Sequence, residues 1–183
     1  ADGTREDGWR YLEEFSYEDT PVWRFLVEGV QVRKEISVEQ GTNTAAVCYE
    51  ITNRSSRMCD FTVTPFFQFT PKGSEPKPSQ VFEREEGCVR SNGLSLYFWT
   101  DAEVKEIPEI SEVYFYSYDD CDGRRPTGLA KANHRICKTV NPGEKCRLEL
   151  VYSMETTEKK AASILAGHRA YRKKLEELAG FSS

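Results

Sequence analysis

The stretch PVWRFLVEGVQVRKEISVEQGTNTAAVCYEITNRSS, Pro21 to Ser56, decides the fold. Val22, Arg24 and Leu26 alternate with Trp23, Phe25 and Val27, the period-two pattern of a strand rich in β-branched and aromatic residues. Glu28-Gly29 then supplies a two-residue hairpin turn. Val30, Val32, Lys34, Ile36 and Val38 continue as a second strand, broken by Gln40-Gly41-Thr42-Asn43, where Gly and Asn tolerate positive φ. A third strand puts Ala45, Val47, Tyr49 and Ile51 on one face and Ala46, Cys48 and Glu50 on the other. Asn53-Arg54-Ser55-Ser56 is the next polar turn. Three antiparallel strands in a row set the expectation for the rest.

Outward from this stretch the strands continue. Residues 9–19 read as a first strand, and 57–70 as one long strand carrying Cys59, Phe61, Val63, Pro65, Phe67 and Phe69 on one face. Pro65 cannot donate to a ladder and marks an edge or a bulge. The Pro- and Gly-rich run from Pro71 to Pro78 is a rigid loop. Val81–Glu85, Cys88–Ser91 and Leu94–Thr100 are short strands joined by Glu86-Gly87 and Asn92-Gly93, and Asn-Gly is a strong hairpin signal. Val113–Tyr118 is a further strand, and Asp119–Asn133 a polar loop. His134–Val140 and Lys145–Ser153 form a last strand pair around the turn Asn141-Pro142-Gly143-Glu144. About ten short strands with no helix among them predict an antiparallel β-sandwich over residues 1–154.

The character changes in the remainder, 155–183. From Thr156 to Ala179 the apolar residues Ala161, Ile164, Leu165, Tyr171, Leu175 and Leu178 recur at helical spacing, with Gly180 as the C-cap candidate. Six Lys and Arg against three Asp and Glu flank this narrow stripe. Such a helix lies against a sandwich or leads to another domain.

The 183 residues suffice for one domain with a real core. A net charge of −5 gives a nucleic-acid partner no global electrostatic support. No run approaches the roughly 20 apolar residues of a membrane span, and no secretory h-region opens the chain, so the reading is cytoplasmic. The six cysteines form no CxxC pair, which leaves a zinc site unsupported. Cys48, Cys59, Cys137 and Cys146 fall in strand-like runs, where a free thiol behaves as a small buried hydrophobe. A domain of this size needs no disulfides, and free thiols are expected.

No catalytic constellation stands out. His134 and His168, the only histidines, occupy unrelated segments and make no matched acid–base pair, which disfavours a mutarotase or epimerase. Glu83, Glu85 and Glu86 read as a charged strand edge rather than a glycosidase dyad. No Ser-His-Asp order, phosphate loop or metal-ligand spacing is present, and no cofactor or metal is expected. The aromatic faces are more informative. Leu94, Leu96 and Phe98 oppose Tyr97 and Trp99, and Val113 and Phe115 oppose Tyr114, Tyr116 and Tyr118. Three readings stay open: a sheet covered on both sides by the other sheet and by a loop or the terminal helix, a surface packed on a partner domain, or a sugar-stacking platform. The loop from Asp122 to Gly128, with Asn133 and His134 after it, carries hydrogen-bonding groups for hydroxyls or for a neighbouring domain. The candidate carbohydrate or domain-interface residues are therefore Tyr97, Trp99, Tyr116, Arg124, Asn133 and His134.

Particular words of the sequence resemble a family. Tyr11-Leu12-Glu13-x-Phe15, Pro21-Val22-Trp23-Arg24-Phe25, Gly29-Val30, Lys34-Glu35-Ile36, Gly41-x-Asn43-Thr44, Val47-x-Tyr49 and Asn53-x-Ser55 are similar to the N-terminal domain of bacterial and archaeal glycogen debranching enzymes of the amylo-α-1,6-glucosidase type. Thr64-Pro65, Gly128-Leu129 and Pro142-Gly143-Glu144 continue the pattern more weakly. The resemblance implies a large, mutarotase-like supersandwich preceding an (α/α)6 catalytic toroid in the same polypeptide. It implies that the parent hydrolyses α-1,6 branch points of glycogen, and that this piece carries no catalytic residue. It further implies that the terminal helix leads toward that absent domain, and that the sandwich supports it, with an α-glucan as a second partner. A free-standing carbohydrate-binding module is the rival expectation; such modules usually end on a strand.

Overall fold

The computed structural model describes residues 8–17, 19–71, 74, 77–115, 117–124, 127–155 and 161–179. Eleven strands and two α-helices follow a 3-10 turn at Gly8–Tyr11 among these residues. The strands are β1 (Leu12–Tyr17), β2 (Pro21–Val27), β3 (Val30–Val38), β4 (Thr44–Asn53), β5 (Cys59–Val63), β6 (Glu83–Glu85), β7 (Cys88–Ser91), β8 (Leu94–Thr100), β9 (Glu103–Phe115), β10 (Thr127–Val140) and β11 (Lys145–Ser153). The helices are α1 (Ser117–Cys121) and α2 (Ala161–Leu178). An eight-stranded sheet, β1-β2-β3-β4-β11-β8-β7-β6, faces a three-stranded sheet, β5-β10-β9, and every pairing is antiparallel. The expected sandwich class is what the chain adopts.

The opening stretch forms its three strands with the expected turns. Glu28 and Gly29 have φ of 48° and 84°, and Asn92 and Gly93 have φ of 51° and 73°. Positive φ at both central residues is the type I′ geometry whose twist matches the strands it joins.

Four expectations are corrected. The strand expected over 57–70 ends at Val63, because Pro65 offers no N–H. Phe67 instead makes an isolated two-bond bridge to Lys131 (2.8 and 2.9 Å), so 64–70 is a strap rather than a strand. The strand expected at Val113 starts ten residues earlier, at Glu103, and ends at Phe115. Its first half is rich in Glu and holds Pro108, composition that suits an exposed edge and hides the strand from a periodicity reading. The loop expected over 119–133 contains α1 and the first half of β10, so His134 lies within a 14-residue strand rather than at its start. Finally, β10 and β11 do not pair: the turn 141–144 carries the chain from the small sheet to the large one.

The core between the sheets joins Ile51, Leu148 and Leu150 of the large sheet to Ile136 and Val140 of the small one. On the opposite face of the large sheet, Ala46, Cys48 and Val151 meet Ile164 and Leu165 of α2, with Trp99 packed alongside. The middle of the large sheet is thus covered on both faces, by the small sheet and by the helix. All six cysteines are free. The expected helix cap Gly180 and the segment 156–160 lie outside the described residues.

One polar cluster pins α2. The Glu35 carboxylate, 2% exposed, accepts from Thr20 Oγ1 (2.6 Å), Arg33 Nη1 (2.7 Å) and Arg169 Nη2 of the helix (2.7 Å). His168 Nε2 bonds the Asp19 carbonyl at 2.9 Å beside it. Burial pushes the Glu35 carboxyl up, but the Thr20 and Arg33 hydrogen bonds and the charges of Arg33 and Arg169 outweigh it and hold the group below its usual range. Its contribution is therefore complete above the unfolded value of about 4.5 and is lost as pH falls through the lower folded value.

Glu35→Ala should cost about 3 kcal/mol, the low end for breaking a buried pair, because both arginines reach water. Urea unfolding measures this, and Trp99 fluorescence reports whether α2 lifts first. An unchanged midpoint would show that the ionic pin contributes nothing.

Candidate functional site

One concave feature with a mainly apolar lining is an open groove of about 630 Å³. Leu94 and Leu96 of β8 floor one side, Tyr114 of β9 and Ala130 of β10 the other, and the strap 66–70 closes one wall with Phe66, Phe67 and Phe69. The strap lies there because Phe67 bridges to Lys131, and Lys131 is held in turn. This lysine is 3% exposed and donates from Nζ to the Pro78 and Gln80 carbonyls (3.0 and 2.9 Å) and to Glu109 Oε1 (2.7 Å). Phe69 sits at φ 51°, an uncommon conformation for a bulky residue, and its ring packs against Phe67 and Phe82 at 6.0 and 5.5 Å. Tyr114 meets Phe66 edge-on at 6.3 Å. Polar groups are sparse at the rim: Gln68, and Thr70, whose hydroxyl donates to the Ser74 carbonyl at 3.2 Å. Such a lining can hold an apolar surface or the flat face of a sugar; it offers no acid–base pair.

Of the residues singled out from sequence, Asn133 and His134 are adjacent but face inward. The register shift between Ala132 and His134 puts the extra residues on β9, where 107–109 oppose Asn133 alone, and the Asn133 side chain turns back onto the chain. Asn133 Nδ2 donates to the Phe82 carbonyl at 3.3 Å, and Oδ1 meets His134 Nδ1 at 2.9 Å. An amide oxygen only accepts, so Nδ1 carries the proton and Nε2 is left unprotonated in the core. His134 is fully buried, with its ring stacked on Phe98 at 4.8 Å and 10° and on Phe67 at 5.9 Å and 25°. Burial, assisted by the charge of Arg84, pushes its pKa down to about 4. A neutral imidazole sealed between two phenyl rings is a packing element at neutral pH.

The other candidates scatter. Trp99 lies on the opposite face of the large sheet, against the cluster that includes Ile164 and Leu165 of α2. Tyr97 shares that face and is half-buried. Arg124 is exposed, just past α1, and pairs with Asp122 and, at 3.7 Å, with Asp119. Tyr116 lies outside the described residues. The groove's strap phenylalanines were not singled out as a site. Their signal was present in TPFFQF, where Pro65 interrupts an alternation and leaves adjacent rings that one strand face cannot hold. Among the described residues no group of three or more His, Cys, Asp or Glu could hold a metal ion, and no helix is long and apolar enough to cross a membrane.

Comparisons with known proteins agree with the opening stretch. The family described as glycogen debranching enzyme N terminal matches residues 1–147. Among solved structures, a protein described as a kojibiose phosphorylase from the human microbiome aligns with 89% of this chain at 10% identity and a TM-score of 0.41. The chain spans 21% of that protein's length. None of the curated proteins matches the sequence. With four-fifths of its residues matched by that family, the chain belongs to the glycogen debranching enzyme N-terminal family.

Proposed function

We propose that this chain is the non-catalytic N-terminal β-sandwich domain of a cytoplasmic glycogen debranching enzyme. In this reading residues 1–154 form the sandwich, and 155–183 lead to an (α/α)6 domain that hydrolyses α-1,6 branch points. The family match over residues 1–147 carries the proposal. Two features of the site support it. The buried histidine is committed to an aromatic stack with a pKa of about 4, far from a value suited to proton transfer near neutrality. The groove lining is apolar and holds neither histidine nor carboxylate.

The role is support of the catalytic domain. α2 serves this role by its geometry: its first half is fixed to the sheet through Ile164, Leu165 and Arg169, while Tyr171, Leu175 and Leu178 remain exposed along one side. Glucan contact is a secondary role, and the Phe66–Tyr114 groove is where a sugar ring would find aromatic surface. Tyr97 and Arg124 keep solvent access as contact residues, whereas Trp99, Asn133 and His134 hold the sandwich together.

The isolated chain should release no glucose from a limit dextrin; robust turnover would sink the non-catalytic assignment. Maltoheptaose should bind it weakly or not at all by calorimetry. Micromolar affinity abolished by Tyr114→Ala would favour a free-standing carbohydrate-binding module instead.

His134 gives a pH signature. Its folded pKa lies below the unfolded 6.5, so the unfolded state binds more protons between them, and stability rises with pH through that window. The full effect is on the order of 3 kcal/mol. His134→Phe should keep the stack and flatten the dependence of urea stability between pH 4.5 and 6.5, above the range in which Glu35 titrates. An unaltered slope would mean that another group drives it.

A further inference from the structure

The two sheets are unequal, and the mismatch leaves one region of the large sheet bare. Three strands cannot cover eight. β5 is the outermost strand of the small sheet on that side; Val30 and Val32 of β3 pack in its core cluster, while the inner faces of β1, and of β3 at its far end, are left exposed. Phe15, Tyr17 and Val38 are 54%, 62% and 54% exposed there. Where β5 hangs over this ledge, a cleft of about 610 Å³ opens between Val27, Val30 and Val32 below and Met58, Cys59 and Phe61 above.

Two observations say what fits. First, among the described residues β5 pairs only with β10, which leaves its outer edge open to another strand. Strands in a sheet stand about 4.8 Å apart, which places an added strand over β3 and β2. Second, Lys34 stands on the ledge with its ammonium 5.6 Å from the Trp23 ring and 6.0 Å from the Tyr49 ring. Among the described residues it makes no hydrogen bond or ion pair. The rings attract the ammonium but supply no counter-charge, and burial lowers its pKa. A carboxylate placed against it would supply that counter-charge.

We propose that the β5 edge and the Lys34 ledge receive an extended segment of the parent polypeptide. This segment adds as a fourth strand to the small sheet, with apolar residues on Val30, Val32 and Phe15 and one carboxylate on Lys34. This rests on the reading of the chain as a domain of a longer enzyme. Charge favours this occupant: a neutral glucan would bury the ammonium without a counter-charge and would leave the β5 edge unpaired. A second copy of this chain is the remaining occupant.

Hydrogen exchange of β5 in the parent polypeptide, compared with this 183-residue chain, tests it. The β5 amides pointing away from β10 should exchange at least about tenfold more slowly in the parent. Lys34→Glu should abolish that slowing, and Lys34→Met should reduce it. Equal exchange in parent and chain overturns the proposal. So does slowing in this chain that appears only with added maltoheptaose, which indicates glucan, or only with rising chain concentration, which indicates a second copy. Debranching of limit dextrin is read on the same parent samples. Activity without β5 protection sinks this inference alone. Protection without activity supports the added strand and sinks the functional reading.

Discussion

At the end of β4 the Asn53 carboxamide is fully buried and fully used. Its Nδ2 donates to the carbonyls of Arg57 (2.7 Å) and Val140 (3.0 Å), and its Oδ1 accepts from the Ser55 backbone N–H (3.0 Å) and hydroxyl (2.7 Å). Its backbone meets the turn 141–144, donating to the Glu144 carbonyl (2.9 Å) and accepting from the Gly143 N–H (2.8 Å). One residue thereby joins β4, the lead into β5, the end of β10 and the turn into β11. This is the corner where the chain changes sheets, and an apolar residue there would leave several buried groups unpaired at about 1–3 kcal/mol each. The placement of Ile136 and Val140 over Ile51 and Leu148 depends on it.

From that corner the polar groups divide by task. Asn53, Lys131 and Glu35 are all nearly inaccessible, and each is paired with groups distant in sequence. Asn53 sets the sheet-to-sheet crossing, Lys131 holds the segment over the groove, and Glu35 orients the helix. Buried polar groups of this kind stabilise little by themselves but are costly to leave half-satisfied, so they specify one arrangement among many apolar ones. Lys34 is the contrasting case. It is half-buried among rings and, among the described residues, makes no hydrogen bond or ion pair, beside the Tyr49 ring that packs on Phe61 of β5.

The strands of Pro21–Ser56 were legible because period-two alternation and Glu28-Gly29 are local signals. The long edge strand β9 was not, since Glu-rich sequence around Pro108 looks like loop until its neighbour β10 is known. His134 read as a loop-end polar group, yet Phe98 and Phe67 from distant segments convert it into a core residue. The groove was half legible: Leu94, Leu96 and Tyr114 appeared as faces of strands, but the strap wall needs the Phe67–Lys131 bridge, a contact between residues 64 apart in sequence that no periodicity encodes.

By itself, then, the sequence determined the strand-rich class, the hairpin turns and the family, because alternation, turn chemistry and motif wording are all short-range properties. Only the tertiary structure decided which faces are covered. Trp99 and Tyr114 are both aromatic residues of strands; one packs against the α2 cluster and the other lines an open groove. That difference follows from the unequal width of two sheets and from where one helix lands, and both are set by contacts between residues far apart in the chain.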